Sequence, residues 1–180
     1  TKNLDVALLN DKIDIAVHSL KDVPTLLPEG IVQAAVLKRA NYNDILVLNG
    51  TEEFFGEPEG IIATGSLRRK AMWLNRYPTH QVVELRGNVN TRLEKVENNN
   101  WNGAVFAAAG LERIGKRPAG AVNLPWMIPA PAQGAIMIAA LENDEYTRDA
   151  CEQLNHPDTQ ICVGIERDFL RLLEGGCSAP

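Results

Sequence analysis

The chain has 180 residues, 45% of them hydrophobic, which is enough for one large domain or two small ones with ordinary buried cores. A formal net charge of -5 and a pI near 5.2 argue against bulk binding to nucleic acid, so any anion site must be local, built from clustered arginines on an acidic background. Three cysteines (Cys151, Cys162 and Cys177) with no CxxC pair disfavour a disulfide framework or a metal site, and no apolar run approaches the length of a membrane span.

Residues 3–10 carry apolar side chains at helical spacing and predict a short helix. Residues 14–19, DIAVHS, predict a strand that runs into Lys21 and Asp22, with Pro24 stopping helix propagation. Strands follow at 31–37 and 44–50, then an acidic, turn-rich loop at 51–60. From residue 60 the pattern alternates. GIIAT precedes a helix SLRRKAMWLNRY, QVVELRG precedes NTRLEKVENN, and GAVFAAA precedes GLERIGK, which predicts a mostly parallel sheet flanked by helices. A proline-rich stretch near Pro129–Gln133 marks a crossover between domains and leads into a strand. A helix at 147–155 and a long amphipathic helix from 158, capped by Gly175 and Gly176, close the chain. The start at Thr1 and the stop just after Cys177 suggest a segment of a longer protein.

Asp22 lies past the carboxyl end of a strand, where open α/β sheets place ligands. A carboxylate there can offset a developing positive charge or carry protons, whereas a surface turn paired with Lys21 would contribute little. His18 and Ser19 reach the same place, His18 more as a packed or capping side chain than as a catalyst. Ser66, Arg68 and Arg69 open a helix whose free N–H groups and dipole form an anion site. Adjacent arginines point about 100° apart on a helix and can hold different carboxylates of one ligand. Cations at a helix N-terminus oppose the dipole, and a bound anion would offset that cost. Arg86 with Gly87, Arg92 and Arg113 also follow strand ends, so five arginines are expected along one sheet edge. Cys177 follows a helix C-terminus, a setting that disfavours the thiolate. It suits a thiol that traps a strong electrophile once better than it suits a protease-type nucleophile.

DIAVHSLKDVP, TGSLRRK, ELRGNVNTRL, AAAGLERIG, PAQGA and LEGGC stand in the order found in the porphobilinogen deaminase (hydroxymethylbilane synthase) family, which the chain resembles over essentially its whole length. The resemblance implies a transferase of tetrapyrrole (haem) biosynthesis. It joins four porphobilinogen units head to tail with loss of ammonia and releases hydroxymethylbilane. It implies a dipyrromethane cofactor held as a thioether on Cys177. Asp22 and Lys21 map to catalytic positions. Ser19, Lys21, Asp22, Thr64, Ser66, Arg68, Arg69, Arg86, Gly87 and Arg92 map to cofactor contacts, and Arg113 and Gln133 to substrate contacts.

The family fold implied is α/β: two type II periplasmic-binding-protein-like domains, each a mostly parallel sheet with flanking helices, and a third α+β domain. Domain 1 would comprise 1–36 and 135–153, domain 2 would comprise 40–128, and domain 3 would begin at 157. A cytoplasmic monomer with porphobilinogen as its small-molecule partner, and no nucleic-acid or membrane partner, is expected. Gly65 stands where many relatives have serine. The opening strand and helix of the family and most of its third domain lie outside these 180 residues, so this segment alone is expected to be inactive. The alternative class is an anion-binding periplasmic-type solute-binding module, which would need neither an anchored thiol nor the Lys21–Asp22 pair.

Overall fold

The computed structural model describes residues 2–173. Its elements begin with α1 (Lys2–Leu9), β1 (Ile15–Ser19), a 3-10 turn (Leu20–Asp22), β2 (Ile31–Val36), β3 (Asp44–Leu48), β4 (Ile61–Ala63) and α2 (Leu67–Arg76). They continue with β5 (Gln81–Val83), α3 (Val89–Asn98), β6 (Gly103–Ala107), α4 (Ala108–Glu112), β7 (Val122–Asn123), β8 (Ile136–Leu141), α5 (Glu145–Glu152) and α6 (Pro157–Leu172). They form two units. One is made of residues 2–42 and 130–173, the other of Asn43–Pro129.

In the first unit the strand order is β1-β8-β2, with β8 antiparallel to both neighbours. A mostly parallel sheet is expected in this domain too, and here the described strands are all antiparallel. The central β8, IMIAAL, is buried along most of its length, as a strand covered on both faces must be. β1 alternates, with Ala16 and His18 inward and Ile15 and Val17 outward. Leu8, Leu20, Val36, Met137, Ala139 and Val163 share one core. α5 and α6 start on side-chain caps: Asp144 accepts from Thr147 N at 3.0 Å and His156 from Thr159 N at 3.2 Å, and Pro157 opens α6.

α6 is amphipathic as expected, but the inward face is not the more apolar one. Thr159 and Val163 are buried, whereas Ile165 and Phe169 are 67% and 62% exposed.

The second unit has the order β5-β4-β6-β3-β7. β5, β4 and β6 are parallel, as the alternating pattern predicts, and β3 runs antiparallel to β6 and β7. Successive residues feed opposite faces. Ile45, Ala63 and Phe106 pack with Leu85, Val96 and Leu111 on one side. Leu46, Ile62 and Val105 pack with Phe54, Trp73, Leu124 and Met127 on the other. The strand predicted over QVVELRG ends at Val83, and the helix predicted from Gly110 begins at Ala108.

Candidate anion site and catalytic turn

β1 delivers the chain to the tight turn that carries Lys21 and Asp22. Leu20 is buried and its N–H donates to Ala135 O at 3.0 Å, and Val23 N–H closes the turn onto Leu20 O at 3.2 Å. Between these anchors Asp22 is exposed and Lys21 half-buried. Lys21 Nζ lies 3.5 Å from Gln133 Oε1, the long limit of a hydrogen bond. Gln133 is 0% exposed, and its Nε2 donates to Tyr42 O at 2.7 Å. Gln133, expected among the substrate contacts, is thus a buried amide within reach of Lys21. Ser19 is half-buried at the strand end. His18 is buried, among the described residues its Nε2 finds no hydrogen-bond partner, and Asp5 Oδ1 lies 3.9 Å away.

Residues that the motifs did not mark hold this region. Arg39 Nη1 and Nη2 grip Glu166 at 2.5 and 3.0 Å, and Arg39 Nε donates to Gln133 O at 2.9 Å. Glu166 also accepts from Ala132 N at 2.7 Å. The adjacent Arg167 donates to Leu20 O, Val23 O and Pro24 O. A usable sequence signal was present: Glu166 and Arg167 stand three and four residues after the buried Val163, on the inward side of the helix.

In the second unit the parallel strands β4, β5 and β6 bring their carboxyl ends to one edge, as expected for the arginine-bearing segments. Thr64 is buried, and its Oγ1 accepts from Ser66 N at 3.2 Å. Ser66 caps α2 by accepting from Arg69 N at 3.4 Å. Arg68 and Arg69 share one partner within the protein. Both close on Asp44, which opens β3 at the same edge and is 0% exposed. Arg68 Nη2 meets Asp44 Oδ2 at 2.8 Å and Arg69 Nη2 meets Oδ1 at 2.6 Å. Arg68 also donates to Ile128 O, and Arg69 to Val105 O at 3.1 Å. The anion that offsets two cations at the start of α2 is thus internal. Burial alone would raise the Asp44 carboxyl. The charge and hydrogen bonds of Arg69, then those of Arg68, outweigh it and hold the carboxyl below its ordinary value of 3.8.

The start of α3 gathers the rest. Arg86 is exposed beside Glu84, at 2.7 Å, and Gly87 has a φ of 119° that suits glycine. Arg92 Nε donates to Gly87 O at 2.7 Å and Lys95 Nζ to Arg86 O at 3.0 Å. Lys116 Nζ reaches Asn90 Oδ1 at 2.7 Å. Arg113 is exposed just past α4 on the same sheet edge. Lys95 and Lys116 extend the set expected from the motifs. Lys95 lies three residues after Arg92 on one helix face, which is the signal that marks it. Arg86, Arg92, Lys95 and Lys116 around the free N–H end of α3, with Arg113 on the same sheet edge, make a donor set that fits a ligand with several carboxylates. Cys177 lies outside the described residues, as do Gly175 and Gly176.

Among the described residues no cluster of His, Cys, Asp and Glu could hold a metal ion, and no helix is long and apolar enough to cross a membrane. A family model described as porphobilinogen deaminase, dipyrromethane cofactor binding domain, matches residues 1–149. The chain is similar to the porphobilinogen deaminase of Rubrobacter xylanophilus, with 46% identity over all of this chain and 60% of the relative. It is 43% identical to that of Desulforamulus reducens and 40% to the chloroplastic enzyme of Oryza sativa, again over all of this chain but 59% and 51% of theirs. The chain thus spans a little over half the length of these relatives.

Among solved structures, an ABC-transporter periplasmic substrate-binding protein from Coxiella burnetii aligns with a TM-score of 0.54 and 15% identity, over 90% of this chain and 81% of its own. An ancestral cationic amino acid solute binding protein aligns with a TM-score of 0.51 and 14% identity, over 95% and 69%. These likenesses carry the α/β, periplasmic-binding-protein-like fold alone.

Proposed function

The chain belongs to the porphobilinogen deaminase family, and from that premise we propose that the intact protein polymerises four porphobilinogen units head to tail, with loss of ammonia, to hydroxymethylbilane. The observation that carries this reading is the family match through residue 149, which spans both the Lys21–Asp22 turn and the basic edge. The solute-binding alternative shares the fold but leaves that turn without a task.

Asp22 is the catalytic carboxylate. Exposed on an anchored turn, it stabilises positive charge that develops on the pyrrole ring as ammonia leaves, and it takes part in proton transfer. Lys21, steadied by Gln133, sets the charge balance beside it. Each porphobilinogen brings two carboxylates, so the product lengthens as a polyanion. Arg86, Arg92, Arg113, Lys95 and Lys116 hold those groups, with Thr64, Ser66 and Gly87 shaping the backbone around them. Arg68 keeps an outer contact with ligand while sharing Asp44, and Arg69 supports it from the buried side. Bound as a thioether to Cys177, the dipyrromethane would supply the starter to which units are added. α6 lends Val163 to the first unit and also opens the third domain of the intact protein. The enzyme works as a cytoplasmic monomer, with no nucleic-acid or membrane partner.

The test is intact-mass analysis with turnover. The intact protein should carry a dipyrrole on Cys177 and consume porphobilinogen. Asp22→Ala should keep the added mass while turnover falls by roughly 10²-fold or more. Absence of the added mass, or its presence on Cys151 or Cys162, would reject the assignment. Near-normal turnover of Asp22→Ala would remove Asp22 from its role.

A further inference from the structure

Three backbone carbonyls of the Lys21–Asp22 turn and its exit face one guanidinium from the far end of the first unit. Arg167 Nη1 donates to Leu20 O at 3.2 Å and to Val23 O at 3.0 Å, and Nη2 donates to Pro24 O at 2.5 Å. Carbonyl dipoles converging in this way repel one another unless a cation lies between them. A guanidinium fits because its donors form a planar fork that meets several acceptors at once, which an ammonium cannot reproduce. Among the described residues no backbone N–H is donated to Val23 O or Pro24 O, so Arg167 satisfies both.

The two sides of Asp22 are anchored differently. On the N-terminal side, Leu20 is buried and bonded to Ala135 O. On the C-terminal side, Val23 is buried and its N–H turns back onto Leu20 O, while the carbonyls of Val23 and Pro24 are held by Arg167. The next residue back on α6, Glu166, holds Ala132 N and Arg39, and Arg39 holds Gln133 O. Neighbouring residues of one helix therefore brace both segments that present Lys21 and Gln133.

We propose that Arg167 is a positioning residue. Its clamp on Leu20, Val23 and Pro24 fixes the orientation of the Asp22 carboxylate, so that α6 sets the geometry of the catalytic turn. This rests on the role proposed for Asp22, but the clamp has a readout of its own.

The experiment compares intact wild-type protein with Arg167→Gln and Arg167→Lys by amide hydrogen exchange and by porphobilinogen turnover. In Arg167→Gln, exchange should quicken at Lys21, Asp22 and Val23 while β8 and the second unit stay protected. kcat should fall roughly 10- to 100-fold with KM within about twofold of wild type, the pattern of a misplaced catalytic group. Arg167→Lys keeps the charge but not the fork, and should recover part of kcat and part of the protection. If Arg167→Gln does not fold, the lysine variant carries the test, with intermediate losses of both. Wild-type exchange at the turn in either variant overturns the clamp, and so does a fall in kcat without faster exchange there. Faster exchange in a protein whose wild type does not consume porphobilinogen leaves the clamp standing and removes the proposed function instead.

Discussion

Asp44 is the residue whose chemistry the linear sequence hid most completely. It opens an apolar strand and lies more than twenty positions before the arginines it serves, and only the antiparallel pairing of β3 with β6 brings it to their edge. The twin arginines themselves were legible, because two cations at a helix start oppose the dipole and call for an anion. What could not be read was that the protein supplies that anion itself. Asp44→Ala leaves two guanidinium groups without their carboxylate and should cost about 3–5 kcal/mol, seen as a lower urea midpoint. Because the folded carboxyl titrates below 3.8, its contribution is whole above that value and fades as pH falls through the lower folded value. Acid unfolding of the wild type should therefore steepen below about pH 3.8. Asp44→Asn, which does not titrate, should lack that component. Identical acid profiles for the two would show that the triad contributes nothing through this proton.

At the scale of elements, the alternating pattern correctly announced parallel β4, β5 and β6, and so the shared edge on which Ser66, Arg86 and Arg113 follow their strands. The sheet of the first unit was misjudged because β1, β2 and β8 are apolar runs whose direction no local pattern encodes. The inward face of α6 was hidden for a related reason: Glu166 and Arg167 face the protein because backbone groups there need them, while Ile165 and Phe169 face out.

Gly65 shows how close the packing at the edge is. A Cβ at this position would lie 2.7 Å from Leu85 O, in the segment that leads to Arg86. Gly65→Ser must push that backbone away. It should cost roughly 1–3 kcal/mol and weaken retention of a polycarboxylate ligand, read from urea unfolding and from the salt needed to release the ligand. An unchanged midpoint would mean that the 85–87 segment yields freely and that the close approach has no bearing on the residue found here.

For the molecule as a whole, the two units differ in a way that the chain path makes testable. The first is discontinuous: β8, its central strand, arrives more than a hundred residues after β1, so its sheet cannot form until both segments are present. Among the described residues the second is one uninterrupted stretch, Asn43–Pro129. Among the described residues its five strands pair only with one another, two cores flank one sheet, and Asp44, Arg68 and Arg69 all lie within it. A domain that buries both sheet faces and satisfies its buried charges locally meets the physical requirements for folding alone. Residues 43–129 expressed by themselves should therefore unfold in a single cooperative transition in urea. Near-ultraviolet circular dichroism should report the packed Trp73, Tyr77 and Trp126 cluster, whose rings lie 5.0–6.1 Å apart. A broad transition with no near-ultraviolet signal would show that the second unit borrows its order from the first, and that the basic edge depends on residues outside the segment that carries it.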